Sequence, residues 1–221
     1  MRICTAGKNS MDCRRMEEQD MEQFKRRCRS FFDTLWPAEE KPLVFGEGKC
    51  DRPPVMLIGE APGEQESLQG RPFVGKAGKN LDGFLQAIAL RREDIYITNV
   101  VKVRPTRVSA RGSVSNRPPN REELLLFTPF LYEEIQLVRP GLIVTLGNVA
   151  LQALMGPQAT VGAFHGKETE AAVRAQGREE RYPLFPLYHP ASIIYNRSLT
   201  EVYQDDLRSL RAWLTLHGAV N

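Results

Sequence analysis

The chain has 221 residues, 42% of them hydrophobic and 26% charged, with a formal net charge of +3. That size suits one folded domain with a terminal extension, and the apolar share is ample for a packed core. No apolar run is long enough to span a bilayer and none follows the positive charges near Met1. Membrane and secretory classes are therefore disfavoured and a cytoplasmic location is expected. The mild charge neither demands nor forbids a nucleic-acid partner.

The four cysteines, Cys4, Cys13, Cys28 and Cys50, have wide, irregular gaps and no C-x-x-C pair. They read as reduced thiols rather than disulfides, and only weakly as a metal site. Met11, Met16 and Met21 offer alternative starts, so the first residues are expected to be disordered or untranslated. Residues 21–36 read as a helix with Phe24, Cys28, Phe31, Phe32 and Leu35 on one stripe, ended by Pro37 and Pro42. Residues 55–58 form a short continuous apolar run between Pro54 and Gly59, which suits a buried parallel strand. A helix marked by Leu81, Phe84, Leu85 and Ile88 follows, then a β-branched strand over 95–101.

The proline-, serine- and arginine-rich stretch 102–121 is expected to be a long exposed loop. Residues 121–138 form a long helix, 142–146 a third strand and 148–155 a short helix. Residues 156–183 include a hairpin or loop insert. Residues 184–188 are the fourth strand, and Tyr203, Leu207, Leu210 and Leu214 mark the last helix. This alternation predicts an α/β fold, a three-layer α/β/α arrangement around a mostly parallel four-stranded sheet, over residues 44–216. Residues 1–43 form a helical extension before it.

In open α/β sheets, ligands bind beyond the carboxyl ends of the strands. Those ends carry Gly59-Glu60-Ala61-Pro62-Gly63, then Asn99 with Lys102 and Arg104, then Gly147-Asn148, then Tyr188-His189-Pro190. A carboxylate, an amide, a glycine turn and an imidazole thus converge on one rim, the pattern of a functional site. Singly, each has a plainer reading: Glu60 as a helix cap, Asn99 as a partner for loop backbone, His189 as a structural residue. The Gly59–Gly63 turn lacks the Lys-Ser/Thr of a nucleotide-triphosphate loop and the three-glycine dinucleotide pattern.

The strings GEAPGEQESLQGRPFVGKAGKNL (59–81), YITNVVKVRP (96–105), NRPPNREEL (116–124), LIVTLGNVA (142–150) and LYHPASII (187–194) resemble the motifs of the family 4 uracil-DNA glycosylases, in the family's order. The resemblance implies an enzyme that flips uracil out of DNA and cuts its N-glycosidic bond. It implies that Phe73 stacks on the uracil, Asn99 reads its edge, and Ala61 and Pro62 wall the pocket. His189 would stabilise charge on O2, and Glu60 would direct the attacking water. Glu66 matches an acidic position of the family near the pocket, whereas Ser67 departs from the usual aspartate.

The partner implied is uracil-containing DNA, single- or double-stranded, met by a monomer. Lys102, Arg104, Arg107, Arg111, Arg117 and Arg121, with no acid among them, are expected along the phosphates, together with Ser192 and Arg197. Ile193, Ile194 or Tyr195 either wedges into the vacated stack or packs beneath the last helix. The action is expected to be monofunctional, since no lysine is evidently placed as a nucleophile. Alternatives are a non-catalytic module that binds uracil or damaged DNA, and a glycosylase for another deaminated base.

One departure bears on cofactors. The family resembled holds an iron–sulfur cluster on four cysteines, and the matching positions here are approximately Asp33, Trp36, Val103 and Phe127. None can ligate iron as a thiolate, so no cluster, no other metal and no cofactor is expected, with bulky apolar side chains filling the site.

Overall fold

The computed structural model describes residues 10–37 and 41–220. In chain order the strands are β1 (Glu47–Gly48), β2 (Val55–Gly59), β3 (Tyr96–Asn99), β4 (Thr106–Val108), β5 (Val114–Asn116), β6 (Leu142–Leu146), β7 (Thr169–Ala175) and β8 (Arg178–Leu187). The helices are α1 (Ser10–Leu35), α2 (Glu64–Gln69), α3 (Lys76–Ala87), α4 (Arg121–Val138), α5 (Asn148–Met155), α6 (Val161–Phe164), α7 (Pro190–Tyr195) and α8 (Leu199–Leu216).

Among the described residues the main sheet has six strands in the order β1-β3-β2-β6-β8-β7, which corrects the expected four. The four expected strands form its parallel centre, and β1 and β7 add antiparallel edges. β7 and β8 are the hairpin within the irregular stretch 156–183. β1 is two residues inside a Gly-Glu-Gly turn, too short for any periodicity to announce it. All five residues of β2 and of β6 are buried, as a strand covered on both faces requires.

Alternate strand residues feed two cores. Met56, Ile58, Tyr96, Ile143 and Leu184 face α1, α4 and α5. Val55, Leu57, Ile97, Val144 and Phe185 face α3 and α8. Each large apolar side chain so buried contributes about 1.5–3 kcal/mol, which makes the sheet a rigid platform.

α1 joins the first core through Met21, Phe24, Cys28 and Phe32. Residue 43 therefore marks where the sheet region begins and does not divide the core. Phe31 and Leu35, expected on the same stripe, stay 44% and 45% exposed. Phe31 still meets Phe130 at 5.3 Å between ring centroids.

The stretch 102–121 is not a featureless loop. β4 and β5 pair in it as a two-stranded ribbon, in the register Thr106↔Asn116, Arg107↔Ser115 and Val108↔Val114. Gly112, at φ +79°, turns the chain between them.

Candidate active site

Parallel register sets the site. β2 and β3 end level, with Gly59 opposite Asn99, and the ladder continues as Val100 N–H donates to Gly59 O at 2.9 Å and Val101 N–H to Glu60 O at 3.1 Å. At these ends opens a cleft of about 510 Å³. Glu60, Ala61, Phe73, Asn99 and His189 all line it, so segments far apart in sequence meet as expected. Pro62 is buried and lies outside the lining.

Gly59 shows how closely two of these groups approach. A Cβ there would lie 2.5 Å from Cζ of Phe73 and 2.4 Å from Oδ1 of Asn99. The Phe73 ring and the Asn99 carboxamide therefore converge over a backbone that only glycine leaves bare. Asn99 is 3% exposed, yet its carboxamide is engaged by no hydrogen bond among the described residues. It has an acceptor and a donor left for a ligand.

Phe73 stands at φ +53°, a left-handed conformation that costs a non-glycine residue about 1–3 kcal/mol and must be held. Two anchors hold it. The buried Glu66 accepts from the N–H groups of Gly63 (3.1 Å), Val74 (3.0 Å) and Gly75 (2.7 Å), tying the Gly-Glu-Ala-Pro-Gly turn to the segment around Phe73. Arg92 donates to the carbonyls of Pro72 and Phe73 and is itself gripped by Glu47 at 2.6 Å. Glu66 thus acts as a strut. Arg92 carries no sequence signal, because its partners are carbonyls and an acid from β1. Ser67 Oγ is buried without a partner, and nothing in the structure explains that residue.

His189 caps α7, its Nδ1 accepting from Ala191 N–H at 3.1 Å. That bond assigns the ring proton to Nε2, and burial lowers the ring pKa below its ordinary value. The result is a neutral imidazole with one N–H free to donate. Gly147, at φ +85°, turns the neighbouring strand end past it, and a Cβ there would come within 3.4 Å of His189 Cβ. Asn148, noted on the same rim, instead accepts from Val161 N–H at 2.7 Å and shapes the loop before α6.

Glu60 follows β2 directly, and burial alone raises its pKa above the ordinary carboxylate value. Among the described residues no cation shifts it, and its carboxylate is a base that a water molecule can reach.

The expected cations separate. Arg104 lines the cleft, where its Nε donates to Asn116 Oδ1 at 2.7 Å and its Nη1 lies 3.3 Å from Glu64. Arg107, Arg111, Arg121 and Arg197 are exposed, and Ser192 is half-buried. Arg117 is spent on Glu123, which it meets at 2.7 Å through both Nη atoms.

Lys102 is a correction: it is 1% exposed and takes no place on the DNA-facing surface. Its Nζ donates to Glu134 Oε2 (2.6 Å), Thr98 Oγ1 (2.7 Å) and the Asn99 carbonyl (2.7 Å). Glu134 also accepts from Tyr96 OH at 2.9 Å. A cation this deep persists only when paired and fully bonded. Ile193 is half-buried against the second core, while the side chains of Ile194 and Tyr195 lie outside the described residues.

Residues 45–213 match the model of the uracil DNA glycosylase superfamily. The chain belongs to that superfamily. It is 36% identical over 186 residues to the type-4 uracil-DNA glycosylase of Saccharolobus solfataricus, covering 82% of this chain and 80% of the relative. It is 39% identical over 171 residues to the type-4 uracil-DNA glycosylase of Pyrobaculum aerophilum, covering 76% and 81%. In fold it is similar to the crystal structure of wild-type Pedobacter heparinus SMUG2, with TM-score 0.50, 18% identity and coverage of 76% and 77%.

In this superfamily member the positions matched to cluster cysteines do not fit an iron–sulfur centre. Phe32 stacks on Trp36 with centroids 5.0 Å apart and on Phe127 at 4.5 Å. Val103 is buried in the same core, and Asp33 is exposed. Burial pushes the Cys28 thiol up to about 12, so it stays protonated, and Cys50 is half-buried. Cys4 and the side chain of Cys13 lie outside the described residues. Among the described residues no cluster of three His, Cys, Asp or Glu is placed to hold a metal ion.

Proposed function

We propose that this uracil-DNA glycosylase superfamily member hydrolyses the N-glycosidic bond of uracil in DNA, releasing the base and leaving an abasic site. The observation that carries the reading is the meeting of Phe73 and the unengaged Asn99 carboxamide over Gly59. A flat base slides against the Phe73 ring, a contact of ~1–3 kcal/mol. Asn99 Oδ1 accepts from uracil N3–H and Nδ2 donates to O4. Cytosine presents the opposite polarity at both atoms, and mismatched polar groups in a buried pocket are costly. A uracil-specific pocket follows from that polarity.

As the N1–C1′ bond breaks, its electron pair moves onto uracil and cationic charge builds on the sugar. His189 Nε2–H donates to O2, where the negative charge collects. Glu60 takes a proton from the water that adds to C1′, and its charge favours the cationic sugar. The protein acts as a cytoplasmic monomer without a cluster, its aromatic stack serving as the packing between α1 and α4. The exposed Arg107, Arg111 and Arg197, with the half-buried Ser192 and with Arg104 at the cleft, meet phosphates.

The test is incubation with uracil-containing oligonucleotides, single- and double-stranded, followed by alkali. Strand scission at uracil is expected. Intact strands from both substrates would refute the proposal, and retained binding without scission would favour a non-catalytic module. Scission at hypoxanthine with none at uracil would reassign the base.

The pH profile is a second expected result. Glu60 works only when ionised and its pKa is raised, so activity rises with pH through a limb above the ordinary carboxylate value. His189 works when neutral and its pKa is lowered, so it adds no loss at neutral pH. Measured kcat/KM should therefore fall on the acid side as either group takes up a proton, and the part of that fall due to Glu60 should vanish in Glu60→Gln, leaving only the His189 part.

A further inference from the structure

Val108 and Val114 are an anomaly on this surface. They are directly paired across the β4–β5 ribbon, yet they are 68% and 52% exposed. Paired residues of an antiparallel ribbon project from the same face, and so do residues two apart along a strand. The face that carries the two valines therefore also carries Thr106 and Asn116. Asn116 lines the cleft. The apolar pair is thus the outward continuation of the cleft wall, two residues or about 7 Å beyond its rim at the strand rise of ~3.3 Å per residue.

The surroundings point to what covers it. From Lys102 to Arg121 there is no acidic residue, and the ribbon presents Arg107 on its opposite face and Arg111 in its turn, both exposed. The turn is ordered by its own bonds, with Ser109 N–H donating to Ser113 O at 2.9 Å and Ser113 N–H to Ser109 Oγ at 3.1 Å. The ribbon is a stiff, cationic finger with an apolar pad turned to the cleft side. A phosphate backbone matches those arginines and the absence of acid along the ribbon.

We propose that this ribbon is a duplex-gripping element. Val108 and Val114 cover a base pair within about two steps of the extruded nucleotide, while Arg111 contacts a backbone phosphate. The proposal rests on the glycosylase reading above. At ~3.4 Å per base step along a strand, the pad lies about two steps from the nucleotide in the cleft. Apolar side chains at such a place offset the stacking lost when a nucleotide leaves the helix. A single strand has no paired neighbour to cover and gains nothing from the pad.

The test compares wild type, V108S/V114S and V108I/V114I on a uracil duplex and on the same strand unpaired. Alongside, anisotropy measures affinity for a duplex carrying a tetrahydrofuran abasic site. For V108S/V114S, kcat/KM on the duplex and affinity for the abasic duplex are expected to fall about tenfold, the scale of uncovering small apolar side chains. Single-strand cleavage should stay within about twofold of wild type. V108I/V114I should keep the duplex rate, and Arg111→Ala should lower the slope of log affinity against log salt by about 1. Unchanged duplex cleavage and affinity in V108S/V114S, or equal losses on both substrates, would overturn the proposal. Wild type that binds duplex through the valines but releases no uracil would sink the glycosylase reading and leave the ribbon's role standing.

Discussion

Glu60→Gln is expected to lower kcat for uracil release by about 10²–10⁴-fold, the usual contribution of a positioned general base, with little change in affinity for uracil DNA. Glutamine keeps the shape and the polar oxygen but cannot take the proton from water or oppose a cationic sugar. The same change should raise the melting temperature. Burial holds the Glu60 pKa above its unfolded value, so ionised Glu60 costs stability, and the cost appears as pH rises through the folded value. At low pH, where both states are protonated, the two proteins should melt alike. At pH 8 the glutamine variant should melt higher. A variant that is inactive and also less stable at pH 8 would mean that Glu60 is a structural group, in conflict with the role given to it here.

The second large effect lies beneath the pocket. Lys102→Met should destabilise the fold by about 3–5 kcal/mol, the usual result of removing one partner from a buried ion pair. Glu134 is 0% exposed and would be left with only Tyr96 OH and Thr98 to face it. For a chain of this length that is a fall of roughly 6–20 °C in melting temperature. The double variant K102M/E134L should recover much of the loss, because an apolar pair can replace a buried ionic one. Function should suffer beyond stability: Lys102 holds the Asn99 carbonyl at 2.7 Å, so the double variant should show a raised KM for uracil DNA even where it is fully folded. Calorimetry and kinetics on both variants decide this. A loss below about 1 kcal/mol for Lys102→Met would mean that water reaches Glu134 and relieves its charge.

The pocket was more legible in the sequence than the framework that holds it. β2, β3, β6 and β8 contain buried apolar runs whose ends can be read off directly, and a parallel sheet must bring those ends to one rim. Glu60, Asn99 and His189 could be named for that reason. What escaped depends on pairing across distance. Lys102 sits three residues after Asn99 in a run of cations and reads as one of them. The available signal was Glu134, an acid on the inward side of α4 between Leu131 and Ile135, where only a buried cation makes sense. Arg92 acts on backbone carbonyls, which no side-chain pattern betrays. The β4–β5 ribbon has three residues per strand, shorter than the alternation needed to distinguish a strand from a polar loop. Phe31 and Leu35 fit a helical stripe, but the width of the covered face is set by α4, which the stripe itself does not reveal.

The most direct measurement is a crystal structure of the Glu60→Gln protein with a uracil-containing oligonucleotide. A uracil ring lying flat on Phe73, with N3 and O4 facing the Asn99 carboxamide and O2 facing His189 Nε2, is the predicted result. Uracil left in its stack, or a base seated elsewhere with that cleft empty, would contradict it.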